Sequence, residues 1–222
     1  MQDTFKERVA QVLSGKFKEF DTVHVCVTPQ LIRDIGFSDG DIVITQKHIR
    51  NCLSTEKTST SKEHHHDLPI DFMDNLPKYI ESPAMVLSSL TQKDSVVLVT
   101  DCKDKKDRPI IVALKSDGIG RSNGRLISCN VLTSTYGKDS FESFLNNSIK
   151  QNGLLYFNEK RSRNLVVSAG FQLPRVLAKY DSDIIIRRFD EIVNPLPENN
   201  SQNYLPDKYG TMLTRPDGKP FA

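Results

Sequence analysis

The segment SVVLVTDCKDKKDRPIIVALK, residues 95–115, decides the fold class. Two runs rich in Val, Ile and Leu, residues 95–100 and 109–115, flank the charged stretch 101–108. Short β-branched runs on either side of a polar turn are typical of an antiparallel hairpin. We therefore expect a β-sheet built around this hairpin. The charged stretch is read as a solvated hairpin tip, although its lysines are also suited to contact phosphate.

Strands and helices are predicted on both sides of this hairpin. Residues 22–27, 41–45, 84–88, 126–136 and 154–157 read as strands, and residues 183–188 as an edge strand. Helical spacing of apolar residues predicts helices at 5–13, with Asp3 as N-cap, and at 30–35, 46–53, 67–80 and 141–149. The predicted fold class is α+β, with N-terminal helices packed on a small antiparallel β-sheet and a partly extended C-terminal tail.

The composition limits the class of protein. The 222 residues carry a net charge of +2, and no apolar run approaches the ~20 residues that cross a bilayer, so we expect no membrane partner. The start of the chain lacks the basic and apolar pattern of a secretory signal, which predicts a cytoplasmic protein. Four widely spaced cysteines without a CxxC pair predict free thiols.

Histidines are concentrated in one part of the chain. Four of the five lie within residues 48–66, namely His48, His64, His65 and His66, and a Ser/Thr-rich stretch at 54–63 precedes the last three. Imidazole titrates near neutral pH and can exchange protons or bind metal, so the cluster is a candidate site. A solvated, histidine-rich turn explains the same pattern, and the run alone does not decide between the two.

Polar side chains also mark the predicted strand 126–136. Ser128, Asn130, Ser134 and Tyr136 occupy even positions, which predicts that all four share one face of the sheet. A polar face on an otherwise apolar strand is a second candidate site.

Basic residues near glycines or a helix start suggest anion binding. Residues 117–125 contain three glycines interleaved with Arg121 and Arg125, but the spacing matches no phosphate-binding fingerprint, so a plain loop is predicted. Lys160 and Arg161 follow Asn158, a predicted N-cap. Cations in the first turn oppose the helix dipole unless they meet an anion.

Five segments in order carry a resemblance to a known family: ITQKHIRNCL, HHHDLPIDFMDNLPKYIESPAMVLSS, DSVVLVTDCKDKKDRPIIVAL, ISCNVLTSTYGKD and GLLYFNEKRSRNLVVSAGFQLP. Together they resemble the C-terminal domain of MuF-type proteins of phages and integrated elements. That domain is grouped with the superfamily that links barnase, EndoU, colicin-type and RelE-like nucleases. The predicted domains are a helix-strand-helix extension at 1–40, the MuF-C-like nuclease-fold domain at 41–174, and an edge strand with a Pro-rich tail at 175–222.

The resemblance implies an α+β fold with a cleft and a toxin-type ribonuclease of a phage or mobile element. RNA, with transfer RNA as one candidate, is the implied partner, and an immunity protein or virion proteins are further candidates. The motif positions carried over are His48, His65, His66, Asn130, Ser134, Tyr136 and Lys160. The chain departs from the pattern in having three adjacent histidines rather than a pair, so the acting histidine is not assigned.

Metal-independent RNA cleavage requires a base for the 2′-hydroxyl, an acid for the 5′-oxygen and a cation for the phosphorane. The hypothesis assigns His66 and His48 as the acid/base pair, with His65 as an alternative, and predicts a 2′,3′-cyclic phosphate without metal or cofactor. Lys160 with Arg121 or Arg161 would stabilise charge. The positioning and RNA-binding groups are assigned as Tyr136, Ser134, Asn130 and Arg125.

Three other functions stay open. The chain can be a non-catalytic module that binds RNA or protein through the same cleft. Metal-dependent hydrolysis would use His64 and His66 with Asp67, although adjacent histidines lack the ligand spacing of helical zinc motifs. Transferase chemistry ranks below binding, because no phosphate-loop or dinucleotide motif is present.

Overall fold

The computed structural model describes residues 3–18, 20–54 and 65–188, and the backbone of residues 205–206 and 213–214. The helices in these ranges are α1 (Phe5–Leu13), α2 (Gln30–Asp34), α3 (Gln46–Leu53), α4 (Ile70–Asp74), α5 (Leu76–Glu81), α6 (Phe141–Lys150) and α7 (Glu159–Ser168). The strands are β1 (Val23–Val27), β2 (Asp41–Ile44), β3 (Met85–Ser88), β4 (Ser95–Lys103), β5 (Pro109–Ser122), β6 (Arg125–Gly137), β7 (Leu154–Phe157), β8 (Ile184–Ile185), β9 (Leu205–Pro206) and β10 (Leu213–Thr214).

Within the described ranges, eight strands form one sheet in the order β1-β2-β6-β5-β4-β3-β7-β8. The α+β class is confirmed, but the sheet is larger than predicted and is mixed. β2 and β6 are parallel, and every other neighbouring pair is antiparallel. The difference arises because β1 and β2 join through this parallel pairing.

The C-terminal region is only partly covered by the described residues. The predicted edge strand is present as β8, which pairs with β7. β9 and β10 form a separate antiparallel pair. The rest of the predicted Pro-rich tail lies outside the described residues, and the domain boundaries at 40 and 174 stay a prediction.

Helices cover both faces of the sheet. Along β4, Val96 and Leu98 pack into the core shared with α1 to α5, whereas Val97 and Val99 pack into the core shared with α6 and α7. Because consecutive side chains of a strand point to opposite faces, burial on both faces requires a continuous apolar run. This is why residues 95–100 show no polar alternation.

The hairpin that was predicted from residues 95–115 is confirmed, because β4 and β5 pair antiparallel around the turn at 104–108. The loop predicted at residues 117–125 is wrong. β5 continues to Ser122 and β6 begins at Arg125, so the segment is a second hairpin with Asn123 and Gly124 at its turn, both at positive φ. Asn-Gly is a strong signal for such a two-residue turn. The carboxylate of Asp21 stabilises the turn by accepting both backbone N–H groups, at 2.8 and 3.1 Å.

Two details of the predicted helices also differ. The N-cap of α1 is Thr4 rather than Asp3, because Thr4 and Glu7 form a reciprocal capping box. The helix predicted at 67–80 is two short helices, α4 and α5, with Pro77 in the first turn of α5. Proline lacks the N–H that a helix interior requires, but it fits a first turn.

Candidate functional site

A cleft of about 450 Å³ lies at the C-terminal end of β6. Three parts of the chain meet there: the end of β6, the β4–β5 turn, and the segment 65–69 that precedes α4. The lining residues are His65, His66, Lys106, Arg108, Ser134, Tyr136, Gly137 and Asp139. The cleft therefore brings together four of the predicted site residues, namely His65, His66, Ser134 and Tyr136.

The cleft forms where β6 loses a neighbour. The pairing of β2 with β6 ends at Ile44 and Leu132, because the chain turns into α3 after Ile44. Residues 133–137 of β6 therefore have β5 on one side and α3 on the other. The Cys52 thiol of α3 donates to the backbone oxygen of Thr135 at 3.6 Å. Thus α3 substitutes for a strand at this edge and carries His48 with it.

Residues 65–69, the histidine segment, are hydrogen-bonded to the C-terminal end of α3. The backbone N–H groups of His66, Asp67 and Leu68 donate to the carbonyls of Asn51, Ser54 and Cys52 at 3.2, 3.1 and 2.8 Å. Carbonyls at a helix end have no partner within the helix, so these bonds satisfy both segments.

A second contact ties the histidine segment to the hairpin. The Asp67 carboxylate pairs with Lys105 of the β4–β5 turn at 2.6 Å. Asp67 also has a φ of 45°, a left-handed conformation that redirects the chain immediately after the histidines. Helix α3 and the hairpin turn together hold this segment beside β6.

His66 stacks on Tyr136. The two ring centroids are 5.5 Å apart and the planes are inclined by 28°. Burial raises the pKa of the Tyr136 hydroxyl, so this group is a neutral hydrogen-bond donor at neutral pH. The pair puts an imidazole and a phenol in contact at one wall of the cleft.

His48 lies behind His66 and is largely buried. Burial and, to a smaller extent, the nearby His66 lower the pKa of His48 to about 4, whereas a hydrogen bond with the Thr133 backbone opposes the shift. Its Nε2 atom is buried and has no hydrogen-bond partner among the described residues, so the bond to Thr133 involves Nδ1. His48 is therefore a neutral imidazole at pH 7 with an unused acceptor at Nε2.

The basic end of the cleft is organised by Arg108. Its Nε donates to the Asp104 carboxylate at 2.7 Å, and Nη1 donates to both oxygens of Asp139 at 3.0 Å. Burial opposes the ionisation of Asp104, but bonds from the Arg108 side chain and from the Arg108 and Lys106 backbone outweigh it and lower the pKa of this carboxyl. Asp104 therefore remains charged and holds Arg108 in place.

Gly137 makes this arrangement possible. A Cβ atom at position 137 would lie 2.0 Å from Oδ2 of Asp104 and 3.1 Å from Nε of Arg108. Only glycine allows the buried ion pair to pack directly against the end of β6.

A β-bulge explains why Asn130 is not in the cleft. The pairing of β5 with β6 passes from Ala113–Ser134 to Leu114–Leu132, so Thr133 is an additional residue. The predicted common face is therefore wrong, because the bulge puts Ser134 and Tyr136 on the α6 face and leaves Asn130 on the other. Asn130 is fully buried and its amide donates to Thr28 Oγ1 at 2.8 Å and to the Ser38 carbonyl at 3.1 Å.

The other predicted basic residues do not line the cleft. Arg121 and Arg125 are exposed at the tip of the second hairpin, and Arg121 lines a separate cavity of about 370 Å³. Arg161 pairs with Asp101 at 2.7 Å. Lys160 is exposed on α7.

An anion does meet the start of α7. The Asp183 carboxylate accepts the backbone N–H of Glu159 at 3.0 Å and the Asn158 amide at 2.8 Å. These bonds offset the unfavourable position of Lys160 and Arg161 in the first turn.

Four lining residues were absent from the sequence-based site: Lys106, Arg108, Gly137 and Asp139. The charged turn 101–108 was interpreted as a solvated tip. Its role could have been found from the strand register, because Ile110 pairs with Gly137 and Ile111 with Tyr136, which brings the turn beside the tyrosine.

No group of three or more His, Cys, Asp or Glu side chains suited to a metal ion occurs among the described residues. His64, one member of the metal-hydrolysis alternative, lies outside them. No helix in the described part of the chain is long and apolar enough to cross a bilayer.

The fold and the cleft define an α+β protein with a histidine-lined, partly cationic site at one end of its sheet. Residues 57–164 match the family model of the phage MuF-C-terminal domain, which covers slightly less than half of the chain. This part of the chain is therefore similar to that phage domain. Neither the comparison with curated proteins nor that with solved structures gave a match.

Proposed function

We propose that the protein is a toxin-type, metal-independent endoribonuclease of a phage or mobile element, with the cleft as its active site. The observation that carries the proposal is the convergence of His65, His66 and Tyr136 with Lys106 and Arg108 on one cavity. The match to the phage domain supports the phage setting, in the virion or in the bacterial cytoplasm. A relationship to the superfamily of barnase, EndoU, colicin-type and RelE-like nucleases is part of this proposal.

The proposed reaction is transphosphorylation. One imidazole accepts the proton of the 2′-hydroxyl, the 2′-oxygen bonds to phosphorus, the P–O5′ bond breaks, and a second imidazole protonates the leaving oxygen. His66 and His65 are the preferred pair, because both line the cleft. Two positioned imidazoles in opposite protonation states suffice for both proton transfers.

Lys106 and Arg108 would stabilise the charge on the phosphorane. Asp139 is 79% exposed in its side chain, so this partner can release the outer edge of Arg108 to a phosphate while buried Asp104 retains the guanidinium. The Tyr136 and Ser134 hydroxyls would position the scissile phosphate. Any contact of RNA with Lys160, Arg121, Arg125 or Arg161 would then lie outside the cleft.

His48 has a different role in this proposal from the one first assigned. Its Nε2 is buried, so we assign it as a positioning residue for His66 rather than as the second acid. A neutral His48 also places no positive charge beside His66.

The test uses total RNA and transfer RNA incubated with the purified protein in EDTA, with analysis of the product ends. We expect cleavage that leaves 2′,3′-cyclic phosphate, and a loss of at least 100-fold in His66→Gln, because removing an acid/base group costs about 10²–10⁴-fold. The matched control is His24→Gln, since His24 lies on β1 with Arg8 and Asp41 as partners. Equal activity of the two variants would contradict the assignment of His66.

Binding without cleavage is the alternative outcome. If the wild-type protein binds RNA but leaves every RNA intact, the cleft belongs to a non-catalytic binding module on the same fold. If chelator abolishes cleavage, the metal-independent mechanism is wrong.

A further inference from the structure

A second cavity adjoins the cleft on the α6 face of the sheet. Its volume is about 350 Å³, and it shares Ser134 and Tyr136 with the cleft as lining residues. The floor is formed by side chains of β4 and β5, one wall by Phe144 of α6, and the rim by residues 89–92 of the β3–β4 connection. The two cavities thus meet at Ser134 and Tyr136.

The second cavity combines apolar walls with a polar rim. Ile111 and Ala113 of the floor and Phe144 of α6 contribute to the apolar lining. On the rim, Gln92 accepts the Ser95 hydroxyl through Oε1 at 3.1 Å, and its amide nitrogen has no partner among the described residues. A cavity with apolar walls and an amide donor at its edge is the kind of site that binds an unpaired nucleobase.

A cation, Lys138, also lines the second cavity. The Lys138 ammonium lies 5.1 Å from the centroid of the Phe144 ring and has no acidic partner in the described part of the chain. Lys106 is a second such cation in the neighbouring cleft. The phosphates of an RNA strand that crosses both cavities would therefore meet two lysines, one in each cavity, that have no carboxylate partner among the described residues.

The distance between Ser134 and Tyr136, where the two cavities meet, fits one nucleotide. Ser134 and Tyr136 are two residues apart on one strand, so their Cα atoms are about 7 Å apart. A phosphate in the cleft and the base of the adjoining nucleotide in the second cavity would span this distance.

We infer that the second cavity is a nucleobase subsite, which restricts the site to single-stranded RNA. The inference rests on the proposed function, because it takes the cleft as the phosphate site. A base in a duplex is stacked and paired and cannot enter a slot in the sheet face. The subsite therefore selects loops, ends and single strands.

The test measures binding of a single-stranded 2′-O-methyl octanucleotide, which cannot be cleaved. Ala113→Leu fills the floor of the second cavity without removing any polar group, and we expect it to weaken binding at least five-fold. Ala178→Leu is the matched control, because Ala178 is exposed and lines neither cavity. Phe144→Leu provides a second variant that keeps the wall apolar but removes the aromatic ring. The same oligonucleotide annealed to its complement should bind at least five-fold more weakly than the single strand.

The outcomes separate this inference from the proposed function. Equal affinity of Ala113→Leu and Ala178→Leu, equal affinity for single strand and duplex, or no binding of the octanucleotide would each overturn the nucleobase subsite. Binding that depends on Ala113 in a protein that cleaves no RNA would support the subsite and overturn the ribonuclease. Cleavage with an unchanged KM in Ala113→Leu would leave the ribonuclease standing and overturn the subsite alone.

Discussion

At the residue scale, His48 links the site to the pH dependence of stability. Its pKa is about 4 in the folded protein and about 6.5 in an unfolded chain. Between these values the unfolded chain binds a proton that the folded protein does not. The stabilisation is therefore fully present above pH 6.5 and is lost as the pH falls towards 4.

We expect the free energy of unfolding of the wild type to fall by about 2 kcal/mol more than that of His48→Gln between pH 7 and pH 5. Urea unfolding at the two pH values measures this difference, because both proteins share every other titrating group. Parallel pH dependence of the two proteins would show that His48 is not buried in the neutral form.

Gly137 provides a test of the buried ion pair. We expect Gly137→Ala to cost about 1–3 kcal/mol of stability, because the new methyl group collides with the Asp104 carboxylate. The same substitution in an Asp104→Ala background should cost at least 1 kcal/mol less, since the colliding group is absent. A double-mutant cycle measured by urea unfolding gives both values, and additive effects would contradict the collision.

At the element scale, the termini of helices were predicted less well than the elements themselves. Apolar runs were sufficient to predict β3, β4 and β5, and helical spacing was sufficient to predict α1, α3 and α6. Burial of one face of a helix, or of both faces of a strand, determines these patterns. The cap of α7 was predicted at Asn158, but its carboxylate partner, Asp183, comes from 25 residues further along the chain. No local pattern shows a contact of that kind.

Asp183→Ala is expected to destabilise the protein by about 1 kcal/mol, because the substitution removes an acceptor for the first turn of α7 and its favourable charge. Asp181→Ala is the matched control and should change the stability by less than about 0.5 kcal/mol, since surface substitutions without partners rarely do more. Thermal unfolding of the two variants measures the difference. A similar loss in both would mean that the cap does not contribute.

At the scale of the whole molecule, the site depends on long-range register that the sequence alone conceals. The histidines, Ser134 and Tyr136 were recognisable from residue type and order. The bulge at Thr133 was not, because a single additional residue in β6 changes which polar side chains share a face without changing the apolar pattern. The alternation of β6 therefore predicts Asn130 in the site, and the prediction of a solvated tip at 101–108 omits Lys106 and Arg108.

The net charge of the chain does not describe the charge of the two cavities. The net charge of the chain is +2, and Arg108 is compensated by Asp104 and Asp139. This leaves Lys106 and Lys138 as the cations that line the two cavities without an acidic partner in the described ranges. RNA binding should therefore depend on two phosphate contacts rather than on a general electrostatic attraction.

The salt dependence of RNA binding tests the number of phosphate contacts. Each phosphate neutralised on a single strand contributes about −0.7 to the slope of log K against log salt concentration, so we expect a slope of about −1.4 for the 2′-O-methyl octanucleotide. Lys106→Gln and Lys138→Gln should each reduce the slope to about −0.7, whereas Lys160→Gln should leave it unchanged, because Lys160 is exposed on α7 and lines neither cavity. Titrations at four salt concentrations measure the slopes. A slope steeper than about −3, or one that falls in Lys160→Gln, would mean that the RNA extends over α7 and that the basic residues first predicted from the sequence take part in binding.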